Sequence, residues 1–204
     1  MKEINSDTPG LAWKKALNLV YFQGDEISDG NKKLKELLNV FITIKNPVQI
    51  DEVLKRFGDM KMIELMKDNF LKQESAFEGI FSYGSRIFNY HGINQLESII
   101  SKLSKNPESK SAVINFLDPS EDKSHIPCIC TLDIKIRNDK LIGTAFFRSQ
   151  DVGKKLYADI IALGSIMENI SKILKITLGE LNILAVSLHL YQEDLPLFSN
   201  ILEN

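Results

Sequence analysis

The sequence predicts an α/β fold in the broad sense, α+β included, with a mixed or antiparallel sheet backed by helices and one long central helix. Three observations carry this. From Ile126, apolar residues hold the even positions (Ile126, Cys128, Cys130, Leu132, Ile134, Ile136) while Thr131, Asp133, Lys135 and Arg137 hold the odd ones, the period of a half-buried strand. Asn138-Asp139 then reads as a turn, and Leu141 to Phe147 returns as a hairpin partner that delivers Arg148 and Ser149 beside the start of the first strand. After Asp151, Leu156, Ile160, Leu163, Met167, Ile170 and Leu174 recur at spacings of three and four, which predicts a helix over Lys154 to Lys175.

A length of 204 residues with 44% hydrophobic residues suits one domain, residues 1–204, with a sizeable core. The balance of 25 basic against 27 acidic residues, a net −2, supplies no strong field for nucleic acid or an anionic membrane. Neither a signal peptide nor a membrane-spanning apolar run is evident, so a cytoplasmic protein is expected. Cys128 and Cys130 stand two apart on one strand face, where a mutual disulfide would be strained, and a reducing compartment fits. Three histidines without ligand spacing give no support to a catalytic metal.

Along the chain, Thr8-Pro9 opens a helix with the stripe Trp13, Ala16, Leu17, Val20 and Tyr21, which ends at Gly24. A charged loop is expected from Asp25 to about Lys33, then a β-branched strand over Val40 to Ile44 that Asn46-Pro47 stops. Helices are predicted over Ile50 to Phe57, Lys61 to Leu71 and Ile93 to Leu103, a strand over Ala112 to Phe116, and a largely buried strand over Leu181 to Tyr191. Gln192 to Asn204 has no clear pattern.

Pro127-Cys128, Arg148-Ser149-Gln150-Asp151 some twenty residues on, and His189-Leu190-Tyr191 resemble the thymidylate synthase superfamily, the shorter members best. Tyr83-Gly84-Ser85-Arg86 and Asn106-Pro107-Glu108-Ser109 extend the likeness, which covers about Gly79 to Tyr191. The resemblance implies a thymidylate synthase-like mixed sheet and a homodimer through it. It also implies one-carbon transfer from methylenetetrahydrofolate to C5 of a pyrimidine nucleoside monophosphate.

That chemistry needs a nucleophile at C6 to turn the ring into an enolate or enamine, and Cys128, its thiolate favoured by a neighbouring Arg148, is the candidate. The resemblance assigns the 5′-phosphate to Arg148 and Ser149, the sugar hydroxyl to His189 and Tyr191, the pocket border to Tyr83, and the pterin to Asp151. Asp151 can equally cap the following helix. Glu64, in Met62-Ile63-Glu64-Leu65, matches the family's helix acid/base better than Glu52 does, and Lys110 stands where members commonly carry arginines that cross a dimer interface.

Asp159 falls where uracil-using members carry an asparagine and where cytosine-using members carry an aspartate, and it lies on the apolar side of its helix. A carboxyl can accept from the N4 amine of cytosine and share a proton with N3. This points to a CMP or dCMP hydroxymethylase. Thymidylate synthase acting on dUMP is the alternative, and a non-catalytic nucleotide-binding protein on the same scaffold is a third reading. Ile129, where many members carry a histidine, and the missing arginine pair are departures from the pattern.

Overall fold

A computed structural model describes residues 2–75, 82–123 and 125–203; Gly79, Phe81 and Asn204, which the sequence reading included, lie outside them. The chain runs through β1 (Lys2–Ser6), α1 (Pro9–Gln23), β2 (Asp25–Asp29), β3 (Lys32–Ile44), α2 (Glu52–Phe57), α3 (Met60–Leu71), α4 (Tyr83–Phe88) and α5 (Gln95–Lys105). It continues through β4 (Val113–Asn115), β5 (Ile129–Arg137), β6 (Lys140–Asp151), α6 (Leu156–Leu174) and β7 (Thr177–Tyr191), then a 3-10 turn over Gln192–Phe198 and α7 (Ser199–Glu203). The mixed sheet backed by helices is the thymidylate synthase-like architecture that the sequence predicts.

The sheet order is β1-β3-β7-β6-β5-β4, with β2 beside the first half of β3. The β5–β6 hairpin closes on Asn138 and Asp139, both at positive φ (50° and 57°), the type I′ geometry that Asn and Asp tolerate best after glycine. From β6 the chain crosses over through α6 and returns as β7 parallel to it, while β7 pairs antiparallel with β3. Helix α6 is therefore laid across the sheet, and Gly143 lets it approach: a Cβ there would meet Met167 Sδ at 2.5 Å. Trp13 of α1 stacks on Tyr157 with ring centroids 4.4 Å apart and donates to the Val152 carbonyl at 2.7 Å.

Several segments differ from expectation. The charged stretch after Gly24 is a hairpin rather than a loop, with β2 antiparallel to a β3 that begins at Lys32. Gly30, at φ +58° with open space around it, makes the turn. All five β2 residues are exposed, so this strand carries no apolar alternation to read. The N-terminal strand β1, parallel to the second half of β3, is also new, with Ile4 and Ser6 buried. Asp51, expected inside a helix, caps two. Its Oδ1 accepts from Leu54 N at 2.9 Å, and its Oδ2 from Gly10 N at 2.9 Å and Leu11 N at 3.2 Å.

Gly164, midway along α6, tests how closely that helix is held. Alanine is ordinarily worth up to about 1 kcal/mol over glycine within a helix. Here its methyl would lie 2.7 Å from the Pro47 carbonyl oxygen, a backbone atom. Gly164→Ala is expected to lower stability by roughly 1–3 kcal/mol, seen as a reduced melting temperature; an unchanged or raised one would show that the segment around Pro47 yields.

Candidate active site

The C-terminal end of β6, the first turns of α6 and the end of β7 surround a cavity of about 280 Å³, closed from the other side by α3 and Tyr83. Its walls include Cys128, Tyr83, Ser149, Asp151, Asp159, His189 and Tyr191, so seven residues singled out from the sequence converge on one space. The connection follows from pairing. Ser149 and Asp151 lie opposite Ser187 and His189 in the parallel β6–β7 ladder, and Arg148 N donates to the Cys128 carbonyl at 2.9 Å across the hairpin.

Cys128 stands just before β5, and the register slips between Ile129 and Thr131, leaving Cys130 as the extra residue of a bulge. This corrects the simple alternation of the two cysteines: Cys128 lines the cavity, while Cys130 is buried elsewhere in the strand. The electrostatics of Cys128 are also a correction. Burial pushes its thiol pKa up, and the opposing pull of the Arg148 cation does not overcome it.

Arg148 does not line the cavity. Its guanidinium donates from Nε to the Pro127 carbonyl at 2.9 Å and from Nη2 to that of Ile126 at 2.6 Å, tying down the segment that leads to Cys128. Glu64 is placed on the exposed side of α3, 3.3 Å from Lys67, and Lys110 is exposed on the loop before β4; neither reaches the cavity. The buried stripe of α3 is Ile63, Met66, Asn69 and Phe70, of which Met66 and Asn69 reach the cavity wall. The lone polar residue in that apolar row is the signal the sequence holds for Asn69. Gln150 and Lys155 also line the cavity, and Lys155 precedes Asp159 by one helical turn. His125, also on the wall, has no sequence signal.

Asp159 is 4% exposed. Its Oδ2 accepts from Gln150 Nε2 at 2.7 Å, while its Oδ1 is buried without a partner. Burial raises its pKa to about 7 against the opposing pulls of the Gln150 hydrogen bond and the Lys155 cation, with Asp151 adding to the rise. His189 is buried, with Nδ1 3.4 Å from Ser187 Oγ and its ring edge-on to Tyr191 at 5.2 Å between centroids. Tyr83 is held strongly protonated by burial. Asp151 Oδ1 accepts from Gly153 N at 2.8 Å and Lys154 N at 3.2 Å, so it both caps the turn into α6 and borders the cavity.

Away from the cavity, His91, Asp118 and Glu121 bring metal-ligand atoms within 4.8 Å of one another. Arg86 already occupies that neighbourhood, 3.2 Å from Asp118 Oδ2 and 3.6 Å from Glu121 Oε2.

A cysteine, a buried carboxyl and a His-Tyr pair around one cavity match the order of the motifs, and the thymidylate synthase family model matches residues 34–204. The chain belongs to the thymidylate synthase family. Similar proteins include one from Methanosarcina barkeri, 26% identical over 204 residues, covering 98% of this chain and 94% of the relative. Another, from Methanothermobacter thermautotrophicus, is 28% identical over 207 residues, covering 93% and 92%. Both carry the name "Putative thymidylate synthase". Thymidylate synthases bind a pyrimidine nucleotide and generally use methylenetetrahydrofolate, and this chain is a thymidylate synthase-like transferase of one-carbon units. Among the described residues no helix is long and apolar enough to cross a membrane.

The Asp159 carboxyl gives a stability test. Its pKa lies near 3.8 unfolded and about 7 folded, so between these values the folded chain binds the extra proton. Its contribution therefore falls as pH rises from about 4 to 7, and the full cost of an ionised buried carboxylate is present above that. Asp159→Asn removes the titration. Urea unfolding at pH 4.5 and 7.5 is expected to show the variant gaining on wild type by a few kcal/mol at most at the higher pH. An equal difference at both values would mean that Asp159 is ionised throughout.

Proposed function

We propose that this family member transfers a one-carbon unit to C5 of a cytosine nucleoside monophosphate, CMP or dCMP, leaving a hydroxymethyl group. The observation that supports it is the buried Asp159, with one oxygen held by Gln150 and the other without a partner on a side chain lining the cavity. A neutral carboxyl there donates to a ring nitrogen acceptor, which cytosine has at N3 and uracil lacks. Cys128 adds to C6, so that C5 becomes nucleophilic. Ser149, on the cavity wall, takes the phosphate; Arg148, outside the lining, keeps three N–H donors beyond its two carbonyl bonds and joins the phosphate only by turning inward. His189 and Tyr191 take the sugar, and Tyr83 closes the side against Cys128.

Methylenetetrahydrofolate would supply the carbon at the formaldehyde level and leave as tetrahydrofolate, while water supplies the hydroxyl oxygen, C5 gives up its proton and the Cys128–C6 bond breaks to return the thiol. The carboxylate of Asp151, fixed by two backbone N–H groups at the cavity border, suits the N–H donors of a pterin. No role is given to Glu64, which points to solvent, or to Lys110 within one chain.

The names of the relatives favour the second reading, methylation of dUMP. A homodimer through the sheet is supported by a cross-strand row, Phe41 opposite Leu184 opposite Phe146, none of it fully buried. A single monomeric species in size exclusion would count against it.

Two measurements test the reading. Cys128→Ala is expected to abolish tritium release from C5-labelled nucleotide with the fold retained, while Cys130→Ala leaves it near wild type; retained exchange in the first variant would remove Cys128 as nucleophile. Titrating CMP, dCMP, UMP and dUMP into wild type and Asp159→Asn is expected to show cytosine preference in the first and a shift towards uracil in the second. The discrimination should be worth roughly 1–3 kcal/mol for each buried group left unpaired. Preference of wild type for dUMP would establish the thymidylate reading instead.

A further inference from the structure

Among the described residues, two of the buried acceptors without a hydrogen-bond partner are Asp159 Oδ1 and Asn69 Oδ1. Each residue is 4% exposed, and both line the same cavity, one from α6 and one from α3. The two helices meet there: Lys155, the N-cap of α6, lies 3.3 Å from Met62 Sδ and 3.9 Å from Met66 Sδ, and Asn69 is buried on the same face of α3 as Met66. A buried acceptor costs free energy until something donates to it, so a ligand that fits this space has a donor for each wall.

Gln150 decides how the work divides. Its amide N–H is committed to Asp159 Oδ2, so a proton on the neutral carboxyl sits on Oδ1, the oxygen without a protein partner. In that state Oδ1 is a donor, matched to N3 of cytosine. The exocyclic amine at C4 then still has hydrogens to place, and among the described residues the other fully buried acceptor without a partner on this wall is the Asn69 carbonyl oxygen.

Resting on the cytosine reading above, we infer that Asn69 is a specificity-determining residue that accepts a hydrogen bond from the C4 amine of the base, with Gln150 the positioning residue that turns Asp159 Oδ1 towards N3. The helix glutamate expected from the resemblance faces water, and Asn69 is the polar group that α3 brings to the wall instead. The charged and titratable groups around this contact are Lys155 on α6, Asp151 on β6, His189 and Tyr191 on β7, and Cys128, Tyr83 and His125 on the surrounding segments.

Calorimetric titration of three nucleotides separates the contacts: the cytosine nucleotide, the uracil nucleotide, and a 2-pyrimidinone nucleotide that keeps N3 and lacks any group at C4. Wild type is expected to bind the cytosine nucleotide roughly ten-fold or more tighter than the 2-pyrimidinone one. Asn69→Ala should collapse that ratio towards one without changing affinity for the 2-pyrimidinone nucleotide. Asn69→Asp, which keeps an acceptor oxygen and loses the amide donor, should preserve the ratio; circular dichroism and melting check that both variants are folded. A ratio unchanged in a folded Asn69→Ala overturns the inference while leaving cytosine recognition standing. Wild-type preference for the uracil nucleotide, lost in Asn69→Asp, overturns both, because Asn69 would then be donating to O4.

Discussion

The constraint on which the rest of the molecule depends is the near-complete burial of α6. The sheet lies under it at Gly143, the Pro47 backbone presses on it at Gly164, Trp13 covers it at Tyr157, and α3 packs along its first turns. A helix enclosed on all these sides can carry polar groups only where each finds a partner. Ser165 and Ser171 solve this locally, donating to the Ile161 and Glu168 carbonyls. Asp159 has no such local route, because a carboxyl accepts rather than donates when ionised. Gln150 of β6 supplies a partner to one oxygen, and among the described residues the other has none. On the function proposed here, that oxygen is the one left to the substrate.

Burial also sets the electrostatics of Cys128. A guanidinium near a thiol favours the thiolate, and sequence reasoning that stops there expects a lowered pKa. The structure adds the competing quantity: Cys128 shares the cavity wall with Tyr83, Asp151 and Asp159, and removal from water raises its pKa despite Arg148. Arg148 contributes a different thing, two hydrogen bonds that fix the chain at Ile126 and Pro127. The cysteine is positioned first and ionised second. A ligand phosphate bound near Arg148 would, if anything, weaken the cation's help, so thiolate formation belongs with the proton movements that accompany attack on the ring.

What could be read from the sequence was what local chemistry dictates. Asn138-Asp139 as a turn, the alternation of β5 and the three-and-four spacing of α6 each depend on a few neighbouring residues, and each is present. The convergence of Cys128, Ser149, Asp151, Asp159, His189 and Tyr191 was also legible, because strand pairing and one crossover bring their positions together. The unread parts lack a local signal. Strand β2 is exposed at every position and β1 is held mainly by a parallel partner nearly forty residues later in the chain, so neither shows a strong period. The Glu-Leu context of Glu64 resembles the family's, yet helix phase, set by the burial of Ile63, Met66 and Phe70, decides that Asn69 faces inward.

Helix phase also bears on how base recognition is distributed. A single carboxyl that both accepts and shares a proton could in principle read N3 and N4 alone. With Oδ2 of Asp159 already engaged, one carboxyl oxygen is left without a protein partner, and a second acceptor on a different helix becomes useful. Dividing the contact between α6 and α3 ties recognition to the packing of the two helices, through the Lys155 contact with Met62 and Met66 that lies beside it. A shift of either helix by one residue would turn a reading group by about 100°, away from the cavity. The close approaches at Gly143 and Gly164 hold α6 against such a shift, so the glycines that let the helix sit deep also fix the direction in which its carboxyl points.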